Sequence, residues 1–115
     1  MSAGSAGKKL CLIEDIAPRS SKAFDEVAAK PLFVVRGAEE IAVYVNSCPH
    51  LGVPLDWAPD RFLSLDCSLI VCGTHGAEFR VQDGFCISGP CRGKALQKYP
   101  HKIENGWIVI EDQDE

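Results

Sequence analysis

The sequence predicts an all-β fold, a small antiparallel sandwich or barrel in a single domain. Three observations point there. Short β-rich runs follow one another closely and are separated by Gly, Asn and Asp turn signals. No ten-residue stretch carries the 3.6-residue apolar period of an amphipathic helix. The chain has 115 residues, enough for one compact core and too few for two ordinary domains. Hydrophobic residues make up 46% and charged residues 24%, which excludes disordered and collagen-like classes. No apolar run approaches the roughly 20 residues that a membrane helix needs.

Taken in order, Leu10 to Ile13 is a first strand, and Ser20 to Ala29 is expected to form one helical turn. Leu32 to Val35 and Ile41 to Val45 are the next strands, joined through Gly37-Ala38-Glu39-Glu40 as a hairpin. Leu69 to Cys72 has the character of a buried strand. Glu78 to Val81 runs into Asp83-Gly84, a strong hairpin signal, before Phe85 to Ile87. Gln97 to Ile103 runs into Asn105-Gly106, whose tolerance of positive φ suits a type I′ turn, and Trp107 to Ile110 returns. Residues 1–7 and 112–115 are expected to be flexible ends. Cys48 to Asp66 breaks the pattern: it holds Pro49, Gly52, Pro54, Trp57 and Pro59 and is expected to be a long irregular excursion of the kind that carries function.

Twelve basic and sixteen acidic residues give a net charge of -4, and the tail Glu111-Asp112-Gln113-Asp114-Glu115 holds four of the acids. The rest of the chain is balanced, with no excess of basic residues for nucleic acid. A mildly acidic surface suits solubility or docking to a basic partner protein. The six cysteines are too sparse for a disulfide scaffold. The N-terminus has no signal-peptide apolar core and no twin-arginine motif, so the expected compartment is a reducing cytoplasm, where several cysteines point to metal binding or redox chemistry.

Two short motifs concentrate that chemistry: Cys48-Pro49-His50-Leu51-Gly52 and Cys72-Gly73-Thr74-His75-Gly76. Each pairs a thiol with an imidazole, and together they hold two of the three histidines of the chain. One loop cannot surround a metal centre, whereas two facing loops can bring Cys48, His50, Cys72 and His75 to one site. Gly52 and Gly76 allow tight turns after the histidines, and Pro49 stiffens the first loop. The same residues could be two core cysteines with incidental histidines, or a Cys2His2 zinc site. Zinc sites, however, favour paired-cysteine knuckles or a helix-borne His-x3-5-His, and neither occurs here.

These motifs resemble those of the Rieske 2Fe-2S proteins, and in particular the soluble Rieske-type ferredoxins. The resemblance runs from Cys48 to about Leu96 and includes His75-Gly76-Ala77-Glu78-Phe79, the Asp83-Gly84 turn and Ser88-Gly89-Pro90. It implies an antiparallel base carrying an inserted rubredoxin-like cluster-binding subdomain, placed at 46–92. It also implies one 2Fe-2S cluster, with Cys48 and Cys72 on one iron, His50 and His75 on the other, and Gly89-Pro90 in a third loop packed over it. The interval around Trp57 to Phe62 looks longer than in most ferredoxin members.

Histidine ligation leaves the oxidised cluster neutral where four cysteines would give -2, which raises the potential. High-potential members have a serine after the second His-Gly, a tyrosine two residues later and a disulfide bracing the loops. This chain has Ala77, Phe79, Val53 and Gly73 at those positions, so the expected potential lies at the low end of the range, about -150 mV. Cys11 and Cys67 are expected in the core, Cys86 and Cys91 as reduced thiols, His101 at a strand edge without a metal role, and Trp57 and Trp107 as packing residues.

The resemblance implies a one-electron carrier, not an enzyme, that links a reductase to a terminal oxygenase or similar enzyme. The expected state is a monomer or weak oligomer, with no nucleic-acid or membrane partner. A small Rieske-like subunit of a larger reductase, such as a nitrite reductase, is a second reading, and a zinc-stabilised interaction module is a third. The chain has no room for a catalytic domain or for the two-histidine, one-carboxylate iron site of a complete oxygenase.

Overall fold

The computed structural model describes residues 7–24, 31–37, 40–49, 54–58, 60–64, 68–73, 76–89 and 93–111. Among them are nine strands: β1 (Gly7–Leu12), β2 (Ser20–Phe24), β3 (Leu32–Arg36), β4 (Ile41–Val45), β5 (Leu69–Val71), β6 (Glu78–Arg80), β7 (Cys86–Ser88), β8 (His101–Glu104) and β9 (Trp107–Glu111). A single 3₁₀ turn, Ile13–Asp15, is the one helical element in the described residues. The strands form three antiparallel three-stranded sheets ordered β1-β9-β8, β2-β3-β4 and β5-β6-β7. The all-β antiparallel expectation holds.

The apolar runs of β3 and β4 show how the layers stack. Alternate residues point to opposite faces of a strand. Phe33, Val35, Ala42 and Tyr44 join one buried cluster with Ile70, Phe79 and Cys86 of the β5-β6-β7 sheet. Leu32, Val34, Val43 and Val45 join a second with Cys11, Ile108 and Ile110 of β1 and β9. The middle sheet is covered on both faces, so β3 and β4 read as continuous apolar runs instead of alternating ones. Each fully buried large side chain here, Phe33 or Phe79 for instance, contributes about 2 kcal/mol by leaving water. Arg36 ties the first two layers together, donating to the carbonyls of Ile13 (3.3 Å) and Ile16 (2.7 Å).

The turns follow their chemistry. Asn105 and Gly106 have φ of 53° and 83°, the pair of positive values that a type I′ turn requires between β8 and β9. Gly37 donates to the Glu40 carbonyl (2.8 Å) at the β3–β4 connection, with Ala38 and Glu39 outside the described residues. The β6–β7 connection is wider than two residues: Gly84 donates to the Arg80 carbonyl at 2.8 Å, and Asp83 accepts from the Phe85 amide at 3.0 Å.

Three expectations are corrected. Ser20 to Phe24 is strand β2, not part of a helical turn, and pairs with β3 from Ser20↔Arg36 to Phe24↔Leu32. Ser-Ser-Lys-Ala-Phe has no apolar helical period, and pairing satisfies the backbone groups that β3 would otherwise leave open. Residues 25–29 lie outside the described residues. The first strand ends at Leu12, since Ile13 begins the 3₁₀ turn. In the run from Gln97, only Lys98 makes an isolated bridge, to Tyr44, and the continuous strand starts at His101, after Pro100 has removed a donor.

Tyr44 links the middle layer to the turn after β6. Its buried hydroxyl donates to the Val81 carbonyl at 2.6 Å. Burial first, and Asp83 second, push its pKa from 10.0 up to about 12. A folded value above the unfolded one stabilises the fold fully below pH 10.0, and the contribution is lost as pH rises towards about 12. Tyr44→Phe should therefore cost about 1–2 kcal/mol at neutral pH, by leaving the carbonyl unpaired. It should also flatten the alkaline loss of stability, as read by denaturant unfolding at pH 8 and at pH 11.

Candidate metal centre

Cys48 lies three residues beyond β4, and Cys72 immediately follows β5. Both cysteines are buried, with 3% and 0% exposure, and both belong to the buried cluster that also holds Leu55, Ala77 and Cys86. Two segments far apart in sequence thus bring their cysteines into one interior region. A cysteine offers a metal a soft sulfur ligand, of the kind that suits iron in an iron–sulfur cluster or zinc. His50 and His75 lie outside the described residues. Among the described residues no three His, Cys, Asp or Glu side chains converge, so of the four candidate ligands only the two cysteines are described.

The base of the second loop is closed by its own backbone. Cys72 donates to the Ala77 carbonyl (2.8 Å) and Gly76 to the Cys72 carbonyl (2.9 Å), with Gly76 at φ 71°. The segment after β7 packs onto this loop: a Cβ at Gly89, where φ is 103°, would lie 2.7 Å from Ala77 Cα. Gly89 therefore sits against the second motif, while Pro90 lies outside the described residues. Ala77 and Phe79 are fully buried and carry no hydroxyl. No side-chain O–H is available at either position to bond a cluster sulfur.

The excursion after Cys48 is irregular in backbone but anchored in the core. Leu55, Phe62 and Leu63 are buried, and the Phe62 ring stacks on Phe33 at 4.2 Å. The turn Ala58 to Arg61 is held to β2, where Asp60 accepts from the Ala23 amide (2.8 Å) and Ser21 donates to the Asp60 carbonyl (2.8 Å). Trp57 packs through its backbone and not through a buried ring. The indole is 42% exposed, its Nε1 donates to the Leu63 carbonyl (3.1 Å), and a Cβ on Gly73 would meet Trp57 Cα at 2.7 Å. Trp107 is half-buried with Lys9 Nζ 4.9 Å from its ring centroid.

Two of the other cysteines and the third histidine lie within the described residues. Cys11 is in the core, as expected, and Cys86 is a buried thiol whose Sγ donates to the Ser88 carbonyl at 3.2 Å. Cys67 and Cys91 lie outside the described residues. His101 opens the edge strand β8 with Nδ1 3.3 Å from the Tyr99 carbonyl.

Sequence reasoning missed Asn46. It is the buried polar side chain of the described core, 5% exposed, and lies between β4 and Cys48. Its Oδ1 accepts from the Leu55 amide at 2.8 Å. The available signal was an amide side chain placed directly after an apolar strand, two residues before a candidate ligand.

Residues 7–100 match the model of the Rieske [2Fe-2S] domain family. The chain is 30% identical to a ferredoxin named CarAc from Metapseudomonas resinovorans over 102 residues, 89% of this chain and 90% of that protein. In fold it is similar to the ferredoxin of carbazole 1,9a-dioxygenase from Nocardioides aromaticivorans IC177, with a TM-score of 0.76, 22% identity and coverage of 95% of this chain and 100% of that one. It is likewise similar to a chain in a complex of reduced oxygenase and oxidised ferredoxin of carbazole 1,9a-dioxygenase, with a TM-score of 0.75, 24% identity and coverage of 96% and 97%. Two buried thiols on two loops and a family match spanning most of the fold lead to one conclusion: the chain belongs to the Rieske [2Fe-2S] domain family, as an electron-transfer protein rather than an enzyme, with one Rieske-type 2Fe-2S cluster as its cofactor.

Proposed function

We propose that this protein is a one-electron carrier that receives electrons from a reductase and delivers them to a terminal oxygenase, in a reducing cytoplasm. The observation that carries the reading is the pair of buried cysteines, Cys48 and Cys72, brought into one interior cluster from two segments far apart in the chain. The solved oxygenase–ferredoxin complex containing a chain of this fold supports an oxygenase as the acceptor.

In this reading residues 46–92 form the cluster-binding part. Cys48 and Cys72 hold one iron, and His50 and His75 hold the other. The bound cluster supplies a centre that takes up and gives away a single electron. The two thiolates supply the negative charge that compensates one iron, and the neutral imidazoles favour the lower charge of the other. Buried Ala77 and Phe79 exclude water and offer no O–H to the sulfurs, which keeps the potential low, about -150 mV.

An anaerobic visible and EPR spectrum with and without dithionite, beside an iron and zinc count, tests this. Two irons per chain and a Rieske-type signal on reduction are expected. Stoichiometric zinc in a colourless protein would replace the carrier by a structural binding module.

A further inference from the structure

Asn46 stands just before Cys48, and its side chain bonds to Leu55, the residue that in turn bonds to the segment after Cys72. Its Oδ1 accepts from the Leu55 amide (2.8 Å), so residues 46 and 55 close the base of the segment that contains Cys48. The carbonyl of the same Leu55 accepts from the Gly73 amide (2.8 Å), the residue directly after Cys72. A single residue, Leu55, is thus held by Asn46 through its N–H and holds the second loop through its C=O. Asn46 is itself fixed on the sheet, since it follows β4 and its amide donates to the Pro31 carbonyl at 2.8 Å. The Leu55 side chain is fully buried and Asn46 is 5% exposed, so water does not readily stand in for the missing acceptor. Gly73 has no slack on its other side, because Trp57 Cα would lie 2.7 Å from any Cβ there.

We propose that the Asn46 side-chain amide is a positioning residue that sets the spacing between the Cys48 and Cys72 loops through Leu55 and Gly73. The proposal rests on the assignment of those two cysteines as cluster ligands. A strand end, an amide acceptor and one shared residue form a strut. Its loss lets the two loops move independently, which loosens the grip on a cofactor that both must hold. The Nδ2 group lies 3.4 Å from Asp56 Oδ1, so the pair Asn46–Asp56 can be exchanged without changing charge: an aspartate at 46 keeps the acceptor for Leu55, and an asparagine at 56 supplies the donor.

The test uses the intact chain purified with its cluster. Asn46→Leu, with the same branching and number of side-chain heavy atoms but without the acceptor, should lose the cluster to a chelator about tenfold faster than the wild type, with a shifted reduction midpoint and a broadened EPR signal. The exchange Asn46→Asp with Asp56→Asn should restore all three. Asn46→Leu that lowers the melting temperature while leaving midpoint, EPR signal and cluster loss unchanged would make Asn46 an ordinary core residue and overturn the proposal. Where Asn46→Leu does not accumulate as folded protein, the exchanged variant decides: wild-type midpoint and cluster loss support the strut, and altered values overturn it. A wild-type protein without the Rieske signal instead removes the ligand assignment itself, a failure visible before any variant is made.

Discussion

Cys72→Ser is expected to purify colourless, with iron below about a tenth of that in the wild type. Serine is nearly isosteric, so the 0% exposed site is still filled, but its alcohol does not ionise near neutral pH and is a harder ligand than a thiolate. The control is Cys86→Ser in the same buried cluster. Cys86 Sγ donates to the Ser88 carbonyl at 3.2 Å, a bond a serine hydroxyl can also make, so that variant should keep its colour and its two irons. Iron analysis and the visible spectrum of both proteins check the expectation. Full colour in Cys72→Ser would remove Cys72 from the ligand set, and loss of colour in both would show that the buried cluster tolerates no change at all.

Gly89→Ala is the substitution expected to harm the fold most for the fewest added atoms. A φ of 103° lies beyond the ordinary left-handed well, and the new Cβ would stand 2.7 Å from Ala77 Cα and 3.0 Å from Ala77 Cβ. Backbone strain contributes about 1–3 kcal/mol and the forced shift of a packed backbone a similar amount, for a total of about 3 kcal/mol or more. A loss of that size lowers the melting temperature by about 10 °C in a domain this small. Gly93→Ala separates the two contributions, because Gly93 has φ 91° but nothing within 4 Å of its added Cβ. It should lose only the strain part. Equal melting-temperature losses in the two variants would show that the contact between Gly89 and the second loop has no energetic weight.

The tight turns were legible because they are local. Asn105-Gly106 needs two positive φ values, and few residue pairs other than Asn-Gly supply them cheaply, so the sequence marks the β8–β9 turn before any packing is considered. The apolar runs of β3 and β4 were equally legible as strands. Strand β2 was not: Ser20 to Phe24 has little strand character of its own, and its conformation comes from the open edge of β3. The interval between the motifs read as a loose loop because Pro and Gly dominate its signal. The pairings that anchor it, Phe62 on Phe33 and Asp60 on Ala23, join residues far apart in the chain.

By itself the sequence determined the all-β class and the tight turn between β8 and β9, and it marked two thiols and two imidazoles in Gly- and Pro-bearing loops as candidate ligands. These are local properties, fixed by side-chain identity and by the φ values that each residue tolerates. Only the tertiary structure decided that both faces of β3 and β4 are covered, that Cys48 and Cys72 belong to one buried cluster, and that Leu55 links Asn46 to Gly73. Those are contacts between distant segments, and their energy exists only once the layers have packed and water has been removed from between them.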